Sequence, residues 1–218
     1  IGGSNIGSGD FTVTVGAGST VSGGAAGIDT YAQTGDTVTT IGDNSLIIGT
    51  SAGIATQAGD DATVTLGDNV TIDPQDYGVF IAAGGDATFT AGANLNIDIN
   101  NTDADALAGG VLVSSGQAAD VAVGDPSVEI DIGTGLVVTV DDGAGGEADG
   151  GFGVGGQALV GTASVAIDIG NGLSLTLVGD NSVGVFGASN DGDIAITTGT
   201  GSISVAAGDG ADGAANFP

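Results

Sequence analysis

Short runs in which every second residue is apolar recur along the whole chain, separated by clusters of Gly, Asp and Asn. Phe11, Val13 and Val15 alternate with Thr12 and Thr14; Ala62, Val64 and Leu66 alternate with Thr63 and Thr65; Ala87, Phe89 and Ala91 alternate with Thr88 and Thr90. Period-two alternation rich in Val, Ile and Thr is the pattern of a strand with one buried face. A helix needs apolar residues at i, i+3 and i+4, and no useful run of that kind exists. Glycine at 45 of 218 positions would also cost a helix about 1 kcal/mol per site. The chain reads as all-β.

The strands repeat. Asp10, Asp36, Asp61 and Asp86 each precede such a run, at intervals of 26, 25 and 25 residues. Later runs follow Asp120, Thr162 and the pair Gly192-Asp193, at longer spacing. A second marker, Gly before a β-branched residue, recurs at Gly27-Ile28, Gly53-Ile54, Gly78-Val79, Gly110-Val111, Gly153-Val154 and Gly184-Val185. Gly-Asp-Asn turns lie at Gly42-Asp43-Asn44, Gly67-Asp68-Asn69 and Gly179-Asp180-Asn181. Asn and Asp suit such turns because their side chains bond the local backbone and tolerate left-handed geometry. Self-similarity at this period signals a solenoid.

These patterns predict a right-handed parallel β-helix of about seven rungs, with two or three short strands per rung. It forms one domain over 1–218, with regular rungs of about 25 residues in 1–100 and longer, looped rungs in 101–218. Ile28, Ile54, Val79, Val111, Val154 and Val185 should stack as one interior column. Phe80 and Phe186, each next in sequence, should then face outward and anchor a partner; a covering loop or neighbouring subunit is the alternative.

Composition sharpens the picture. The chain has 25 Asp and 2 Glu but no Lys, Arg or His, giving a formal net charge of −27. Charged chains of low hydropathy stay disordered, yet here 41% of residues are hydrophobic and mean hydropathy is +0.37. With only 4% aromatics, the core must be narrow and built from small side chains. Nothing can neutralise phosphate, so nucleic acid and anionic lipid are excluded as partners. No apolar run is long enough to insert this segment in a membrane. Ile1 in place of Met, without a basic or apolar leader, reads as a processed product or an excised segment.

Triads, cysteine nucleophiles, Schiff bases and His/Cys zinc sites all lack their residues. Only a paired-carboxylate glycosidase survives, with Asp60/Asp61, Asp103/Asp105 or Asp141/Asp142 as pairs. Such sites use aromatic platforms and amide or cationic anchors, which are scarce here, so the chain reads as non-catalytic. Ca²⁺ is the better use of the carboxylates, since it takes six to eight oxygen ligands in irregular geometry. Asp141, Asp142, Glu147 and Asp149 crowd nine residues around flexible glycines and form the leading candidate site. Asp103 with Asp105, and Asp73 with Asp76, are smaller clusters. No cofactor is required by any of this.

Outward threonines recur at Thr12/Thr14, Thr63/Thr65 and Thr88/Thr90. Regular ranks of this kind form the flat faces of ice-binding β-solenoids. Rung two offers Val38 and Thr40, and the expected later rungs Ala122 and Gly124, so the rank reads as broken and β-propensity accounts for it.

Three phrases resemble the passenger repeats of autotransporter proteins of Gram-negative bacteria: Thr40-Ile41-Gly42-Asp43-Asn44-Ser45-Leu46-Ile47-Ile48-Gly49, Ser182-Val183-Gly184-Val185-Phe186-Gly187-Ala188-Ser189-Asn190 and Thr197-Thr198-Gly199-Thr200-Gly201-Ser202-Ile203-Ser204-Val205. The resemblance implies a β-helical stalk or adhesin exported to the cell surface, meeting host or matrix glycans or proteins. A secreted matrix or filament subunit, self-associating end to end through open rungs, is the second expectation.

Overall fold

Each rung of the molecule is three strands joined by three corners. In the first rung Gly2–Asn5 lies in sheet A, Phe11–Val15 in sheet B and Thr20–Ser22 in sheet C, and the chain then returns to sheet A at Ala26–Ala32. The computed structural model describes residues 1–100, 108–117, 126–141, 151–179 and 182–206, and among these none is helical. Every sheet holds seven strands, paired parallel and in rung order, so the chain makes about six turns of a β-solenoid.

The interior columns follow the alternation. Ile28 pairs with Ile54, then Val79, Val111, Val154 and Val185 continue the line. The first five are fully buried and Val185 is half-buried. Val21, Ile47, Ile72, Ile97, Val138 and Leu175 form the matching column of sheet C. The marker glycine sits where these two columns meet. A Cβ on Gly27 would stand 2.6 Å from Ile47 Cγ2 and 2.9 Å from the Gly53 carbonyl oxygen. Backbone cannot yield there, so only glycine fits. The repeated Gly marks a corner, and the β-branched residue after it marks the core.

Sheet B corrects the rung boundaries in the second half. The strand pairing with Ala87–Ala91 is Val128–Ile132, placing Ser127 where an Asp opens earlier rungs. Asp120 with the run after it lies outside the described residues, so it does not open this strand. The turn marker is corrected too. Asn44, Asn69 and Asn94 have φ of 56°, 56° and 60°, and Gly18, Gly135 and Gly172 take left-handed φ in the same column. Gly179 closes a sheet C strand instead, so its Gly-Asp-Asn is no equivalent of the first two.

One part of the core is polar. Thr30, Thr39 and Thr56 are fully buried, and their hydroxyls form a triad with separations of 3.0, 3.4 and 3.5 Å. Thr37 is also fully buried, but its Oγ1 has no partner. A desolvated hydroxyl without a hydrogen bond costs about 1–3 kcal/mol. Thr37→Val is therefore expected to raise stability by about 1 kcal/mol in chemical denaturation, whereas Thr56→Val, which removes two of the three triad contacts and leaves Thr30 and Thr39 only their 3.5 Å contact with each other, should lower it.

Candidate functional site

With no cationic side chain in the protein, stacked rungs face a problem at the turns: like charges fall above like charges. The backbone supplies the answer. Asp36 N–H donates to Asp10 Oδ1 (3.2 Å), Asp61 N–H to Asp36 Oδ1 (3.1 Å) and Asp86 N–H to Asp61 Oδ1 (2.8 Å). Asp86 Oδ1 then accepts both the N–H and the hydroxyl of Ser127, at 2.7 and 2.9 Å. Each carboxylate thus ties its rung to the next, oriented along the stack.

A second ladder runs beside the left-handed column. Asp68 N–H donates to Asp43 Oδ1 (2.9 Å) and Ala93 N–H to Asp68 Oδ1 (2.7 Å). Asn69 Nδ2 reaches Asn44 Oδ1 at 3.3 Å, and Asn94 Nδ2 reaches Asn69 Oδ1 at 2.9 Å. In the last turn Thr200 donates its N–H and its hydroxyl to Asn171 Oδ1. Amide ladders can donate and accept down a column, whereas carboxylates only accept. That is why the Asp column takes its donors from the backbone.

Three carboxylates converge where these turns crowd. Asp36, Asp60 and Asp61 each bring an oxygen within 4.8 Å of the others. Burial pushes the Asp61 carboxyl above the usual carboxylate range, and Asp60, Asp86 and Asp36 add to the rise; only the Asp86 N–H opposes it. Hard oxygen donors at this spacing suit Ca²⁺, with water completing the shell.

Of the residues singled out from sequence, Asp142, Glu147 and Asp149 lie outside the described residues. Asp141 ends the strand Val137–Asp141, and its side chain is outside them too. Asp103 and Asp105 also lie outside. Asp73 ends a sheet C strand and Asp76 accepts from the Ser51 hydroxyl at 3.0 Å, both at the corner that leads from sheet C to sheet A. Asp60 and Asp61 are adjacent in sequence, but only stacking brings Asp36 to them.

Phe80 and Phe186 are half-buried in one outward column of sheet A, with Leu112 and Gly155 between them. They belong to a longer aromatic row. Tyr77 lies 6.0 Å from Phe80 and 6.2 Å from Phe152, and Phe152 meets Phe186 edge-on at 5.6 Å. The Phe186 ring lies against Gly155 of the preceding rung and the Phe152 ring against Gly109, so each large ring is received by a bare backbone. Tyr77 and Phe152, missed in the sequence reading, each directly precede a marker glycine, and that was the available signal. Burial, then the Asp76 carboxylate, push the Tyr77 hydroxyl up.

Fold and turns together define a three-sheet parallel β-solenoid with carboxylate-to-backbone ladders. No family model, curated protein or solved structure matches the chain.

Asp61 provides a direct test. Its raised carboxyl contributes stability that is present below the ordinary value of 3.8 and lost as pH rises through the raised one. Asp61→Asn keeps an oxygen for the Asp86 N–H and removes the charge. It should stabilise the protein at neutral pH by roughly 0.5 kcal/mol, the scale of exposed charge pairs. The gain should shrink as pH falls toward 3.8 in melts followed by circular dichroism. Asp61→Ala loses the acceptor and should cost about 1 kcal/mol. In the aromatic row, a Cβ at Gly155 meets the Phe186 ring. Gly155→Ala should lower stability by about 1–3 kcal/mol through overpacking, with a changed near-ultraviolet spectrum.

Proposed function

We propose that this chain is a non-catalytic, extracellular stalk or adhesin segment of an autotransporter-type surface protein of a Gram-negative bacterium. The carboxylate ladder is the observation that carries this reading. Asp10, Asp36, Asp61 and Asp86 are spent on joining successive rungs, a use that suits an extended rod more than a reaction centre. An acidic coat keeps such a rod solvated and repels other anionic surfaces. Host or matrix glycans or proteins are its partners, met by Phe80 and Phe186 within the aromatic row. Ca²⁺ is the ion that the acidic turns would recruit, at Asp36, Asp60 and Asp61 and at Asp141, Asp142, Glu147 and Asp149.

A specific observation favours the second reading, a matrix or filament subunit that grows end to end. Ile194, Ile196, Ile203 and Val205 in the last described rung remain 44–51% exposed, although their columns are buried in the rungs before. A further rung, whether from continuing chain or from another copy, would cover them.

Antibody against the chain should label intact cells of the producing bacterium. Proteinase K should remove the label, whereas trypsin, which cleaves after Lys or Arg, should leave the segment whole. Label found only inside permeabilised cells overturns the surface reading. Regular fibres of the purified chain by electron microscopy, growing with concentration, would instead establish the filament subunit. Ca²⁺ should raise the melting temperature more than Na⁺ at equal ionic strength; equal shifts would mean simple screening.

A further inference from the structure

The outer face of sheet B differs from every other described surface of the rod. Its first four strands place Thr12, Val38, Thr63 and Thr88 in one column and Thr14, Thr40, Thr65 and Thr90 in the next. Seven of these eight outward positions are threonine, and the eighth is the isosteric valine. The expectation of a broken rank rested on Ala122 and Gly124 as the next rung. In the structure the next rungs contribute Glu129 with Asp131, then Ala166 with Asp168. The rank is therefore continuous over four rungs, and it ends at charge.

Three properties of this face point to one kind of surface. First, it is neutral, although the chain carries 27 carboxylates. The flanking Asp10, Asp36 and Asp61 carboxylates each accept the next rung's N–H along the stack. Second, none of the seven threonine hydroxyls has a protein partner among the described residues, so all are left to water. Third, its spacing is regular in two directions: about 4.8 Å between strands, and about 6.8 Å between alternate residues along a strand. Side-chain ladders such as those at both edges hold a sheet flat across many strands.

A methyl group orders the water around it, and a hydroxyl fixes one water by a hydrogen bond. A plane offering both at each node, at near-lattice intervals, arranges water in ranks close to those of an ice surface. A carboxylate would impose its own tight hydration shell on such ranks. Two other occupants fit less well. A second copy would bring another net charge of −27 against the Asp columns beside the plane. A crystalline polysaccharide is gripped by aromatic platforms, and here the rings lie on sheet A.

We propose that the outer face of sheet B, from Thr12 to Thr90, is an ice-binding plane, which the protein uses to adsorb to crystalline water. This assignment stands on the face alone and is independent of the stalk or filament reading.

Ice affinity partition of the 218-residue chain tests it, alongside inhibition of recrystallisation in frozen sucrose films. The chain should enrich in slowly grown ice, while an unrelated acidic protein is excluded. Thr40→Asp and Thr65→Asp should abolish enrichment without unfolding, because Asp131 and Asp168 already occupy that column in later rungs. Thr176→Asp, outward on sheet C, should partition like the parent. Exclusion of the parent chain from ice overturns the proposal. So does undiminished enrichment of a folded Thr40→Asp, Thr65→Asp double variant. Binding of the parent to microcrystalline cellulose that is lost in the same variant would assign the plane to a polysaccharide instead.

Discussion

A parallel solenoid stacks each residue on its counterpart at about 4.8 Å, and the sign of that self-contact decides what the column can be. Apolar residues gain from it, amides gain by laddering, and carboxylates lose. In a chain without a single cationic side chain the loss is not relieved by side-chain pairing. It is relieved by the backbone, because an Asp one position before a strand reaches the N–H of the Asp above it. At the turns the acidic composition and the repeat are thus one constraint, since Asp10, Asp36 and Asp61 stand where stacking brings a donor with it. Where Ser127 replaces Asp, the column persists because the N–H and the hydroxyl both donate.

The interior obeys the same rule with dispersion and burial in place of hydrogen bonds. Ile and Val columns from sheets A and C close on the marker glycines, leaving no room for a Cβ. This narrow core explains the shortage of aromatics inside: Phe89 is the large ring buried in sheet B, and it has Ala neighbours on either side in its strand. Phe152 and Phe186 are displaced to the outer face of sheet A, where they rest on Gly109 and Gly155, while Phe11 packs half-buried against the core in the first rung. Rings outside and aliphatics inside invert the usual globular arrangement, and the cause is rung width.

The sheets were legible because their signals are local. Gly before a β-branched residue, and alternation after an Asp, each report on one strand without knowledge of its neighbours. The apolar column from Ile28 to Val185 was legible too, but the polar and aromatic contacts between rungs were not. Asp36 joins Asp60 and Asp61 through stacking, Thr39 meets Thr30 and Thr56 across the core, and Phe152 reaches back to Tyr77 over two longer rungs. Once rung length departs from 25, register must be known before columns can be drawn. That is why Val128 was missed as the successor of Ala87, and with it the true end of the threonine rank.

The unequal rungs also reveal a division among the corners. Between sheets B and C the linker is four residues in each of the first five rungs, as from Val15 to Thr20 and from Ile132 to Val137, and it shortens in the last two. The extra residues of the longer rungs enter on either side of sheet A, between Asn100 and Ala108, Ser115 and Val128, and Asp141 and Gly151. The left-handed column and its amide ladder occupy this least variable corner, which takes none of the added residues. The molecule is bound like a book: a stitched spine along the B–C edge, and leaves of different width at the other two. New sequence can be written into the leaves without rebinding the volume.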